Sequence, residues 1–128
     1  MAALAKSAKE LGVYKQAYAL AMEIFEMSKA RPKEEKYALT DRIRRSSRSV
    51  CANLREAWAK RRYKAHFINK LTDADAESSE TDTWLDFAKD CGYLWTQDHE
   101  RFTQDCPAIG AMLGSMINNS KPFLIKST

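Results

Sequence analysis

The chain has 128 residues, of which 45% are hydrophobic and 30% charged, with a net charge of +4 and a mean hydropathy of −0.54. This length suits one domain, residues 1–128, and no segment approaches the roughly 18 unbroken apolar residues of a membrane span. Four Gly and three Pro are too few for an all-β chain with many tight turns. Met1–Glu10 lacks the apolar stretch of a secretory signal, so we expect a helical cytoplasmic protein.

The cysteine and histidine residues are few and scattered. Cys51, Cys91 and Cys106 form no C-x-x-C pair, and neither His66 nor His99 has a second His or Cys one helical turn away. This argues against a disulfide framework or a metal site. The Glu-x-x-His motif of di-iron bundles, Gly-rich phosphate loops and the Gly-x-Ser-x-Gly elbow are all missing from the sequence. We therefore expect no enzyme, no catalytic residues, no metal and no cofactor.

Apolar residues recur at helical spacing in four segments, which run from about residue 13 to 27, 33 to 59, 63 to 88 and 96 to 116. The four stripes are Val13, Ala17, Leu20, Ile24 and Met27; Leu39, Ile43, Ser46, Val50, Leu54 and Ala57; Phe67, Leu71, Ala74, Ser78, Thr81, Leu85 and Ala88; and Phe102, Ile109, Leu113 and Met116. Short links between long helices predict an all-α, antiparallel up-down-up-down four-helix bundle. It spans about residues 11–120, and residues 121–128 form a tail whose apolar Phe123–Ile125 docks onto the bundle or a neighbouring subunit.

Three motifs resemble those of a known family. Residues 37–57 (YALTDRIRRSSRSVCANLREA) are similar to that family's "Y-x-L-x-x-Q-I-R-R-A-x-x-S-V-x-x-N-I-A-E-G" helix. Residues 74–88 are similar to its third helix, "A-x-G-S-x-x-E-x-x-x-x-L-x-x-A", and residues 109–113 (IGAML) to its "I-G-x-M-L" motif. The family is the bacterial four-helix-bundle proteins first described as encoded in intervening sequences of 23S ribosomal RNA genes.

The resemblance carries expectations about partners. Members of this family resemble the accessory protein of diversity-generating retroelements, a ring-shaped homopentamer that works with a reverse transcriptase and template RNA. The resemblance therefore implies a homopentamer that binds nucleic acid, RNA rather than DNA, and a reverse transcriptase or another RNA-processing protein as partner. The lack of a long apolar segment predicts no membrane association.

Positive charge is concentrated in the second predicted helix. Residues 1–64 hold 16 Lys and Arg against 7 Asp and Glu, whereas residues 65–128 hold 5 against 10. On a helical wheel, Arg44, Arg48 and Arg55 lie opposite the apolar stripe. Guanidinium groups one turn apart suit phosphates, without any base-reading pattern. The predicted nucleic-acid-binding residues are Arg44, Arg48, Arg55, Arg42, Arg45, Lys60, Arg61, Arg62 and Lys64.

A second interpretation assigns these charges to structure and assembly. The third helix carries two acidic rows, and Glu80 is the sharpest candidate to form an ion pair with Arg45. Opposed charges on neighbouring helices also suit head-to-tail assembly into a ring, with Trp58, Trp84 and Trp95 as exposed interface anchors. The protein is then a protein–protein scaffold whose charges set ring assembly and partner choice. The sequence leaves both interpretations open.

Overall fold

The computed structural model describes residues 5–30 and 32–126. The four main helices are α1 (Gly12–Ser28), α2 (Asp41–Ala59), α3 (Lys64–Asp90) and α4 (Thr96–Asn118). No strand occurs in these described residues, and the prediction of an all-α four-helix bundle is confirmed. None of the helices in this part of the chain has the length and apolar character that crossing a bilayer requires.

The helices pack in chain order around one core. Helix α2 contacts α1 and α3, and α4 contacts α3 and α1, as an up-down-up-down bundle requires. The seven positions of the third predicted stripe are all buried, because the 4-3 spacing keeps them on one face of α3. The largest fully buried side chains of the core include Phe67, Phe102 and Ile24. Burial of these apolar stripes, more than the helix propensity of individual residues, determines which face of each helix points into the core.

The second helix begins later than its sequence pattern predicts. Lys33–Glu35 form a single 3-10 turn and Lys36–Thr40 a π-helical turn, and α2 begins only at Asp41. The predicted start near Lys33 is therefore wrong. No residue of the 3-10 turn is buried, so no core contact there stabilises a regular α-helix.

Small side chains hold α2 close to α3. Ser46 and Thr81 are both buried, and their hydroxyl oxygens lie 2.8 Å apart in a hydrogen bond between the two helices. Thr81 also donates to the backbone carbonyl of Glu77, at 2.9 Å. Because buried hydroxyls cost free energy unless they are paired, this contact favours one alignment of α2 along α3.

The connections and the tail complete the bundle. Gly92 has φ of +80°, a left-handed conformation that ends α3 and that glycine adopts without a Cβ clash. After α4, Phe123 stacks on Phe67 with ring centroids 6.1 Å apart, and Leu124 is half-buried against the core. The backbone N–H of Ile125 donates to the carbonyl of Arg61. The tail therefore docks onto its own bundle.

Candidate nucleic-acid interface

The nine predicted basic residues fall into three groups along α2, the turn that follows it and the first residue of α3. Arg44 and Arg48 contact α1, and Arg55 shares their side of α2 by helical spacing; we call these three residues the arginine row. Arg42 and Arg45 lie towards α3. The third group follows α2: Lys60, Arg61 and Arg62 lie in the turn to α3, and Lys64 is the first residue of α3.

Phe25 of α1 organises two members of the arginine row. The guanidinium carbons of Arg44 and Arg48 lie 4.8 and 5.5 Å from the centroid of the half-buried Phe25 ring. Lys29 places its ammonium 4.9 Å from the same centroid. A cation near an aromatic ring within about 6 Å gains attraction from the ring quadrupole without losing its charge. The ring thus gathers positive groups that would otherwise repel one another.

Arg44 is held at a second point. Its Nε donates a hydrogen bond to Ser28 Oγ at 2.6 Å, and the Ser28 hydroxyl donates in turn to the carbonyl of Phe25 at 2.9 Å. This contact uses one N–H and leaves the terminal nitrogens of the guanidinium for other acceptors. Among residues 5–30 and 32–126, no carboxylate forms an ion pair with Arg44, Arg48 or Arg55.

A shallow depression runs along this part of α2. It has a volume of about 480 Å³ and is lined by Asp41, Arg44, Arg45, Arg48, Ser49 and Ala52. Three arginines and the acidic Asp41 therefore border one concave surface, with the small Ala52 at one end. Such a surface can receive phosphate groups of a polyanion, because each guanidinium can donate two parallel hydrogen bonds.

Arg45 differs from the arginine row because α3 neutralises it. Its Nη1 lies 2.9 Å from Glu77 Oε2, and its Nη2 lies 3.0 Å from Glu80 Oε2. The hydrogen bonds that Arg45 donates to Glu77 and, second, to Glu80 raise the pKa of Arg45. Burial alone would raise the pKa of Glu80, yet hydrogen bonds from Trp84 and Arg45 lower it below its ordinary value. The predicted Glu80–Arg45 pair is present, and Glu77 is a second partner.

A second compensated cation lies further along the α2–α3 contact. Lys70 Nζ lies 3.0 Å from Glu56 and 3.6 Å from Asp73, and it donates to Asn53 Oδ1 at 3.3 Å. The hydrogen bond with Glu56 raises the pKa of Lys70. The acidic residues of α3 that face α2 therefore meet cations within the subunit.

The basic residues after α2 are arranged differently again. The guanidinium of Arg61 lies 4.2 Å from the centroid of Trp58 and donates to the Trp58 carbonyl at 2.9 Å. Lys60, Arg62 and Lys64 are exposed. This group extends the positive surface beyond α2, and its Arg61 lies against Trp58 instead of Phe25.

The three tryptophans are not equally exposed, contrary to the sequence-based expectation. Trp95 is 78% exposed, whereas Trp58 and Trp84 are half-buried against the core. Trp84 Nε1 donates to Glu80 at 3.1 Å, and Arg42 lies 5.9 Å from its ring. Neighbours within the subunit therefore partly cover two of the three proposed anchors. Arg61 lies over the ring of Trp58, and Arg42 and Glu80 lie beside Trp84.

Two residues that shape this surface, Phe25 and Ser28, were missed by the sequence analysis. Both lie on α1, one position after Ile24 and Met27 of the predicted apolar stripe. An aromatic residue at the edge of an apolar stripe is the signal that could have indicated them, since it must contact the neighbouring helix.

The opposite side of the bundle is acidic. Asp82 and Asp86 lie on the α4 side of α3, and His99 Nε2 lies 2.7 Å from Asp86 Oδ1. Burial and the nearby charge of Asp86 raise the pKa of Asp82, while His99 opposes them. No group of three His, Cys, Asp or Glu side chains that could hold a metal ion occurs in the part of the chain that the structure describes.

The buried thiols are poor nucleophiles. Burial raises the pKa of Cys51 to about 11 and that of Cys106 to about 12, so both remain protonated near neutral pH. Cys91 is exposed, and all three cysteines are free. Neither buried thiol therefore adds a nucleophile to the basic surface.

Fold and surface together define a small all-helical bundle with one strongly basic helix. The chain belongs to the 23S rRNA-intervening sequence protein family, whose model matches residues 9–115, which confirms the family indicated by the motifs. It is also similar to the crystal structure of a protein with unknown function from the S23 ribosomal protein family of Bacteroides thetaiotaomicron. The two are 32% identical, with a TM-score of 0.74 over 83% of this chain and 95% of that one. Among curated proteins, none matches significantly.

Proposed function

We propose that this chain is a non-catalytic RNA-binding accessory protein that acts as a homo-oligomer. The observation that carries the proposal is the arginine row: Arg44 and Arg48 lie against Phe25, and none of the three arginines has a carboxylate partner among residues 5–30 and 32–126. Arg45 on the same helix forms ion pairs with carboxylates of α3, whereas the arginines of the row do not. The description of the family supports an RNA connected with the ribosome as the ligand.

The chemistry favours recognition of the nucleic-acid backbone. Arginine donates planar pairs of hydrogen bonds to phosphate oxygens, and each neutralised phosphate releases counterions. The row contains no Asn or Gln arranged to read base edges, so structured RNA is recognised by its shape and phosphates.

Assembly would strengthen this binding. Asp75 and Asp90 are exposed acids on the side of α3 away from α2, and they have no cationic partner within the described ranges. A head-to-tail contact between such a surface and a basic flank forms a ring when the rotation closes. A ring, a homopentamer by resemblance, would present several arginine rows at once and gain avidity for a long RNA. A reverse transcriptase or another RNA-processing protein is the partner in this proposal.

The test compares the arginine row with its compensated neighbour. The Arg44→Gln/Arg48→Gln/Arg55→Gln variant should bind a structured RNA hairpin at least about tenfold more weakly than wild type in 100 mM salt. The slope of log affinity against log salt should fall by about one unit per arginine removed. Fluorescence anisotropy between 50 and 200 mM salt measures both quantities. Arg45→Gln is the matched control and should change affinity by less than about twofold, because Arg45 is already paired.

The scaffold interpretation predicts a different outcome. In that case the triple variant binds RNA as wild type does, freshly purified protein carries no nucleic acid by its 260/280 nm absorbance ratio, and charge reversal of the row changes the oligomer instead. Size-exclusion chromatography with light scattering gives the oligomeric state in the same preparation. That combination of results would replace the RNA-binding proposal with a protein–protein role.

A further inference from the structure

Two stacked tyrosines lie on α1 and are not among the residues already assigned to phosphate binding. The rings of Tyr14 and Tyr18 are 6.2 Å apart between centroids, with an angle of 24° between their planes. Tyr14 is half-buried against the core, and Tyr18 is 54% exposed. One ring therefore anchors the pair, and the other offers an aromatic face to solvent.

A groove surrounds this pair. It has a volume of about 430 Å³ and is lined by Lys9, Tyr14, Lys15, Tyr18 and Ala19. Both charged residues in its lining are lysines, and Ala19 leaves space beside Tyr18. The volume falls within the roughly 300–1,000 Å³ that is typical of clefts for small ligands.

The groove lies on the same flank of α1 as Phe25. Tyr18 precedes Phe25 by seven residues, which is about two helical turns, so both project from α1 in nearly the same direction. The Tyr14 carbonyl accepts a contact from Cys51 Sγ of α2 at 3.8 Å, which places this end of α1 beside α2 as well. On α2, Arg55 follows Cys51 by one turn. The tyrosines thus continue the surface of the arginine row towards the start of α1.

We infer that the Tyr14–Tyr18 pair is a stacking site for an unpaired nucleobase of a bound RNA. This inference rests on the proposed function and specifies the ligand as RNA with single-stranded nucleotides. Aromatic side chains beside cations form the usual surface for unpaired bases, because a base stacks on the ring while the cations bind its phosphates. Bases inside a regular duplex are already stacked and cannot use this site.

The charges around the groove favour a nucleotide over a protein side chain as occupant. Lys9 and Lys15 are exposed and make no ion pair within the described ranges. Their ammonium groups would meet the phosphates on either side of a base that lies on Tyr18. An apolar protein partner would have to desolvate two unpaired lysines there, which costs free energy.

The test uses two RNA hairpins that carry the same charge. Their stems are identical, and both have an eight-nucleotide loop, but in the second hairpin the loop nucleotides are abasic. Wild type should bind the first hairpin on the order of tenfold more tightly, since stacking on one ring has that magnitude. Tyr18→Leu should bind both hairpins equally, with an affinity near that of wild type for the abasic loop. Tyr18→Trp should keep or increase the preference.

The matched control is Phe87→Leu, which removes a ring of almost equal exposure, 55%, from α3. It should leave the preference for bases unchanged. The Arg44→Gln/Arg48→Gln variant should weaken binding of both hairpins yet keep their ratio. Equal binding of the two hairpins by wild type would overturn the stacking site while leaving phosphate binding intact. Failure of wild type to bind either hairpin would instead overturn the proposed function itself.

Discussion

The two flanks of α2 contain the same kind of side chain in opposite situations. On the flank next to α3, Arg45 is paired with Glu77 and Glu80 at hydrogen-bond distance. On the flank next to α1, Arg44 and Arg48 lie against Phe25 and have no carboxylate partner in the described ranges. The neighbouring helix therefore decides what an arginine of α2 can do. A carboxylate neutralises the guanidinium, whereas an aromatic ring orients it and leaves its charge available.

The strongest way to break this comparison is to give α1 a carboxylate. Phe25→Glu replaces the ring next to Arg44 and Arg48 with a charge that pairs with them. We expect RNA affinity to fall roughly 30- to 100-fold, because about two charge-assisted hydrogen bonds to phosphate are lost. Anisotropy titration measures the affinity, and a thermal melt monitored by circular dichroism verifies folding.

The control for Phe25→Glu is Phe87→Glu, which makes the same change of charge at an exposed phenylalanine of α3. It should weaken RNA binding by no more than a few-fold. If the two variants weakened binding equally, net charge would explain the effect, and the position of Phe25 beside the arginine row would have no special importance.

The converse change sharpens the comparison and has a smaller expected effect. In Glu77→Gln/Glu80→Gln, Arg45 loses its carboxylate partners and joins Arg44 and Arg48 along the depression on α2. RNA affinity should increase several-fold, and the salt slope should become steeper by about one unit. Stability should fall by about 1 kcal/mol at neutral pH, as is typical of partly exposed ion pairs. An unchanged affinity would mean that bound RNA does not reach Arg45.

The smallest effect concerns pH. The pKa of Glu80 is lower in the folded chain than its ordinary value, since hydrogen bonds from Trp84 and Arg45 outweigh the effect of burial. Its stabilising contribution is therefore complete above about pH 4.5 and disappears as the pH falls through the lower, folded value. The stability gap between wild type and Arg45→Gln, less than about 1 kcal/mol at pH 7, should narrow by pH 3. Melting curves at pH 7, 5 and 3 measure this difference in stability. A difference that stays constant with pH would contradict a stabilising ion pair between Glu80 and Arg45.

The fold was largely predictable because the buried face of each helix requires apolar residues at helical spacing, and this spacing is visible in the sequence. In α3, the 4-3 spacing from Phe67 to Ala88 marks a core face with no alternative period. The start of α2 was not predictable in this way. Lys33–Glu35 have helical propensity, but none of them is buried against the core, so propensity alone does not extend α2.

The sequence predicted which basic residues lie on the surface of α2. It did not predict which of them contact α1 and which form ion pairs with α3. A helical wheel separates Arg44 and Arg48 from the core, yet it does not show which residues of α1 lie beside them. That depends on how α1 packs against α2, which places Phe25 and Ser28 at this contact. Trp84 was expected to be exposed, but the same kind of tertiary contact half-buries it, because Glu80 accepts its N–H.

The buried hydrogen bond between Ser46 and Thr81 has a consequence for the surface charge. Sliding α2 by one turn along α3 would break the hydrogen bond between the two helices and leave each hydroxyl only a backbone carbonyl of its own helix as a partner. The same slide would carry Arg45 about 5.4 Å away from Glu77 and Glu80. The buried Ser46–Thr81 hydrogen bond thus favours one register of α2 on α3. That register determines which arginines of α2 are paired, and therefore the electrostatic potential that a polyanion meets at the surface.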